Sequence, residues 1–124
     1  MEILTVDKLI EVAIDFSNKI SSENHIELLG VTDGKAVGTY VEHRFKEYLL
    51  EYFTFKQGNS AKGIDLPSVN TDIKATSIKQ PQSSCPFKSA RQKIFGLGYN
   101  LLVFVYDKVD IGLECHLNII NTTF

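Results

Sequence analysis

A mixed α/β domain is the fold class that this 124-residue chain predicts. Three observations carry the prediction. Two long stretches of the first half repeat apolar residues at helical spacing. A continuous run of strand formers, LLVFVY, occupies 101–106, and shorter strand-like segments bounded by turn residues lie before and after it. A hydrophobic share of 44% and a charged share of 23% suit one globular domain with a single core.

Taken in order, Thr5 caps a first helix running to about Ile20, with Val6, Leu9, Ile10, Ala13 and Ile14 as its apolar stripe. Residues 21–34, SSENHIELLGVTDG, read as a connection with turn chemistry at both ends. Asp33 then caps a longer helix, AVGTYVEHRFKEYLLEYF, on which Val37, Val41, Phe45, Tyr48 and Tyr52 share one face. Gly58 to Lys62 interrupts the periodicity. Two short strands, about 62–66 and 70–77, follow, joined by Pro67-Ser68. IKQPQSSCP is a polar loop; Pro86 opens a third helix, which Gly96 and Gly98 end near Leu97. The 101–106 run suits a strand covered on both faces, and a last strand spans about Leu113 to Ile120.

Composition excludes several classes. No apolar run approaches the roughly 20 residues that cross a bilayer, so no membrane partner is expected. MEILTVDKLIEVAIDF lacks the basic start of a signal peptide. Cys85 and Cys115 form neither a CxxC nor a disulfide framework, as expected of reduced thiols in a cytoplasmic protein. The net charge of −2 conceals an asymmetry: residues 1–51 carry −5, residues 52–106 carry +5, and the remainder −2. Between Ile73 and Tyr106 there is no acid, while Lys74, Lys79, Lys88, Arg91 and Lys93 are basic. Such a stripe is an electrostatic footprint for a polyanion.

Several short motifs fail on spacing. GVTDGKA at 30–36 has three residues between its glycines and Ala36 after the lysine, so it is no phosphate loop. GLGYN at 96–100 follows a helix instead of opening one. His25, His43 and His116 have no metal spacing with the cysteines, and His43 reads as a helix-surface residue.

Asp65, Asp72 and Lys74, within GIDLPSVNTDIK, pass the same test. Asp72 and Lys74 point to one face of a strand, and a turn around Pro67–Asn70 folds Asp65 toward Asp72. Two carboxylates at that range repel, and a hard divalent cation relieves the repulsion. Mg²⁺ needs only one or two carboxylates plus water and substrate phosphate; the Ile73 carbonyl is a further candidate ligand. On spacing alone, a cross-strand salt bridge between Lys74 and an acid explains the same residues equally well.

The pattern Asp65…Asp72-Ile73-Lys74 resembles the PD-(D/E)XK nuclease superfamily, although the proline follows the first acid (Asp65-Leu66-Pro67) instead of preceding it. The element order from about 35 to 120 is similar to that family's core, which implies a restriction-endonuclease-like mixed sheet flanked by helices. The resemblance implies a preceding helical glutamate as a third ligand, and Glu42 occupies that place. It divides the domain into an N-terminal helix and connection, 1–34, and a catalytic core, 35–124. Within the family the chain looks most like a type II restriction endonuclease. That likeness implies a Mg²⁺-dependent, sequence-specific cut in double-stranded DNA and a homodimer.

Asp65, Asp72, Ile73 and Glu42 are then the metal ligands and Lys74 the catalytic lysine; Lys79, Gln80, Gln82, Ser83, Ser84, Lys88, Arg91 and Lys93 would contact DNA. The length is short for dimer contacts and base reading, so a truncated or compact core is expected. The rival expectations are a junction resolvase sharing the site and a non-catalytic DNA-binding module indifferent to Lys74.

Overall fold

The computed structural model describes residues 2–55, 64–79 and 99–124. The predicted third helix therefore lies outside the described residues, as do Gln80, Gln82, Ser83, Ser84, Lys88, Arg91 and Lys93. The element order is β1 (Glu2–Ile3), α1 (Val6–Ser21), α2 (Gly34–Tyr52), β2 (Phe53–Thr54), β3 (Thr71–Ser77), β4 (Asn100–Ile111) and β5 (Glu114–Thr123).

Both helices begin where their capping residues direct. The Thr5 hydroxyl accepts from the Lys8 N–H and the Asp33 carboxylate from the Lys35 N–H, satisfying donors that a first turn leaves open. The buried faces match the expected stripes in part. In α1 the core takes Leu9, Ala13, Phe16, Ser17 and Ile20, while Val6, Ile10 and Ile14 are exposed. In α2 the line Val37–Val41–Phe45 continues to Leu49, leaving Tyr52 exposed.

β3 pairs in parallel with β4, and β4 pairs antiparallel with β5, giving among the described residues a mixed three-stranded sheet of order β3-β4-β5. Gly112 at φ +60° and Leu113 make the two-residue turn of the β4–β5 hairpin; a hairpin turn of this length asks glycine for that conformation. β4 is longer than the 101–106 run, and its Leu101–Tyr106 segment is buried on both faces as expected. α1 lies over β5 and α2 over β3. Phe16, Phe45 and Phe104 meet at the centre of this layer, with ring centroids 5.0–5.5 Å apart. On the other face Leu101, Val103 and Val105 form a smaller cluster with Tyr99.

β1 and β2 form a separate parallel pair of two residues each, too short to leave a sequence period. The 21–34 connection contains a single 3-10 turn, Ile26–Leu28, fastened by a buried histidine. His25 Nε2–H donates to the Ile20 carbonyl at 2.8 Å, and Nδ1 lies 2.8 Å from the Tyr40 hydroxyl. That hydroxyl also bonds the Glu27 carboxylate and accepts from Arg44, which in turn pairs with Glu23 at 2.9 Å.

Candidate active site

The expected strand at 62–66 is corrected: residues 64–66 form no strand, and only Leu66 makes an isolated antiparallel bridge, to Thr71. The reason is the tightness of the reversal. Pro67–Val69 form a 3-10 turn, and Asn70, at φ +50°, occupies the left-handed region that asparagine tolerates. Leu66 and Thr71 exchange N–H···O bonds of 2.9 and 3.1 Å. Asp65 thereby falls opposite Asp72, and its N–H reaches the Asp72 Oδ1 at 3.3 Å.

Among the described residues β3 is an edge strand, so alternate backbone donors on the side away from β4 need partners. For Thr71, Ile73 and Ala75 three acceptors supply them in sequence. The Leu66 carbonyl takes the Thr71 N–H, Asp65 Oδ2 takes the Ile73 N–H at 2.9 Å, and Glu42 Oε2, from α2, takes the Ala75 N–H at 3.0 Å. The N–H and C=O of one strand residue point to the same side, so the Ile73 carbonyl faces this edge too. The geometry thus brings Asp65, Asp72, Glu42 and the Ile73 backbone to one edge of the sheet.

Among the described residues, two ammonium groups enter the cluster. Lys74 Nζ lies 3.7 Å from Asp72 Oδ2 and is partly exposed. Lys46, one turn after Glu42 on α2, lies 2.5 Å from Asp65 Oδ1 and is more enclosed. Sequence reasoning missed Lys46, whose only signal was its i,i+4 relation to Glu42. Lys79, just beyond β3, pairs with Asp107 at 3.0 Å and bonds the Lys108 carbonyl.

The crowding of carboxylates shows in their proton affinities. Burial pushes Glu42 up to about 7, against the pull of the Ala75 N–H and of Lys74. Burial, with a hydrogen bond and repulsion from Asp65, pushes Asp72 up to about 6. Burial also works against Asp65 ionisation, but hydrogen bonds from Asp72, Lys46 and the Ile73 N–H outweigh it and hold that group below the usual range. The pair therefore divides its roles: Asp65 is the charged member, and Asp72 holds a proton longer.

Among the described residues, no three His, Cys, Asp or Glu side chains stand close enough to hold a metal ion by themselves. Glu42 and Asp65 bond to N–H groups two residues apart on β3, a separation of roughly 6–7 Å along a strand. The Asp65–Asp72 pair is the compact unit. Its all-oxygen donor set, with burial already opposing a second negative charge, suits a hard divalent cation completed by water.

A model of the family described as type II restriction enzyme NspV matches residues 3–124. The type II restriction enzyme NspV of Nostoc sp. (strain ATCC 29411 / PCC 7524) is 58% identical over 126 residues, covering 100% of this chain and 57% of that protein. The chain thus spans a little over half the length of the curated relative that it matches. No solved structure matches the chain. Among the described residues, no helix is long and apolar enough to cross a membrane.

Proposed function

We infer, from the premise that this chain belongs to the type II restriction enzyme NspV family, that it carries the catalytic centre of a site-specific endodeoxyribonuclease. The single observation behind the reading is the Asp65–Asp72 carboxyl pair held against β3 beside Lys74. Asp65 and Asp72 are the residues to hold a divalent cation, Mg²⁺ by the oxygen character of the site. The Ile73 carbonyl faces the same edge, and Glu42 stands farther along it, on the Ala75 amide. When bound, the cation supplies Lewis-acid polarisation of the scissile phosphate and acidifies water.

The chain's own groups do the rest. Lys74 is tied only loosely to Asp72, at 3.7 Å, so its ammonium is free to meet a phosphate oxygen and orient the attacking water. The Ile73 and Ala75 amides fix Asp65 and Glu42 in place, which keeps the acceptors oriented before substrate arrives. Lys79, Gln80, Gln82, Ser83, Ser84, Lys88, Arg91 and Lys93 are the proposed contacts to double-stranded DNA. Cutting both strands of a symmetric site calls for two copies, so the active form is a homodimer. The work is that of a cytoplasmic protein.

Incubating the full-length protein with plasmid DNA and Mg²⁺ tests the reading. Discrete fragments are expected, with binding but no cleavage when Ca²⁺ replaces Mg²⁺. Intact plasmid retained on a gel in Mg²⁺ would show a binding module in place of a nuclease, and cutting confined to four-way junctions would show a resolvase.

A further inference from the structure

We propose that Lys46 is the resident counter-ion of the carboxylate cluster and competes with a divalent cation for Asp65. The proposal rests on the reading of Asp65 and Asp72 as metal ligands. Both oxygens of Asp65 are already engaged: Oδ1 faces the Lys46 ammonium at 2.5 Å, and Oδ2 accepts the Ile73 N–H at 2.9 Å. The amide cannot leave without breaking the strand edge, whereas the lysine can. Lys46 sits on a flexible four-carbon stem, with about a quarter of its side chain open to solvent.

Lys74 and Lys46 therefore have different duties. Lys74 stands 3.7 Å from Asp72 and is the more exposed, so it is held for a substrate oxygen. Lys46 is in direct contact with Asp65 and helps hold that carboxylate charged and in position while no cation is present. A divalent ion approaching Oδ1 meets a like charge at close range and must displace it. Helix α2 builds this arrangement from one turn: Glu42 reaches the Ala75 amide, and Lys46, four residues on, reaches Asp65. Lys46 acts through Asp65 and is a positioning residue.

The test is calorimetric titration of Ca²⁺ into the DNA-free full-length protein, comparing wild type, Lys46→Met and Lys46→Arg. Removing the ammonium is expected to tighten Ca²⁺ binding by on the order of tenfold, while the arginine variant binds like wild type. Equal or weaker binding by Lys46→Met overturns the proposal and makes the ion pair a fastener only. Absence of Ca²⁺ binding by the wild type instead sinks the metal reading itself, and the proposal with it. If Lys46→Met does not fold, judged by circular dichroism, Lys46→Gln provides the same comparison with a polar side chain.

Discussion

Helix α2 carries two polar clusters on nearly opposite sides, and each is built from a pair of residues one turn apart. Tyr40 and Arg44 tie the 22–33 connection to the helix through His25, Glu23 and Glu27. Glu42 reaches the Ala75 amide at the edge of β3, and Lys46 meets Asp65. In the first cluster the charges are resolved. Arg44 answers Glu23, and Glu27 is held below the ordinary carboxylate range by its bond from Tyr40. In the second, three carboxyl groups crowd together, and burial leaves two of them, Asp72 and Glu42, reluctant to ionise. A resolved network fastens the chain; in the unresolved one carboxyl groups remain whose charge the protein only partly offsets.

That contrast can be broken first at the carboxylates. Asp65→Asn and Asp72→Asn are each expected to lower plasmid cleavage by on the order of a thousandfold or more, because the amide can still accept an N–H but cannot offset a cation's charge. A variant that cuts at the wild-type rate would remove Asp65 or Asp72 from the site. Next comes His25→Ala, expected to cost about 2–3 kcal/mol in urea unfolding while leaving Ca²⁺ affinity unchanged, since it vacates a buried, doubly bonded position. A shift in Ca²⁺ affinity would mean that the two clusters communicate.

The pH dependence sharpens the same comparison. Folded Glu42 and Asp72 bind protons more tightly than in the unfolded chain, so their contribution to stability is full below about pH 4 and is lost as pH rises through about 6 to 7. Asp65 works in the opposite sense, but only below the ordinary carboxylate range. The metal-free melting temperature should therefore fall by on the order of 5 °C between pH 5 and pH 8, and Ca²⁺ should restore much of it. A flat profile would mean that the carboxyl groups are not crowded. The smallest effect belongs to Tyr40→Phe, which removes one hydroxyl from the resolved network and should cost about 1 kcal/mol in the same unfolding assay.

Helix starts were legible because capping is a local rule: Thr5 and Asp33 each announce a helix within a few residues. The buried face of α2 was legible through Val37, Val41 and Phe45, that of α1 only in part, through Leu9 and Ala13. Val6, Ile10 and Ile14 obey the same period as Leu9, Ala13 and Phe16, and only packing against β5 selects between the two lines. The two-residue pairing of β1 with β2 offers no pattern to read. At the site, the closeness of Asp65 and Asp72 was legible because a short turn governs it. Lys46 was hidden because its partner lies across a tertiary contact, between a helix and a sheet edge.

The hydrogen bonds from Ile73 and Ala75 to Asp65 and Glu42 carry a consequence for experiment. Among the described residues, those carboxylates are what covers this side of β3 against annealing to strands of other molecules. Truncation to alanine would bare two adjacent amides and turn that margin into a template for aggregation, so a silent alanine variant could be insoluble instead of inactive. Asparagine and glutamine replacements keep the shield while removing the charge, and they alone separate the two losses.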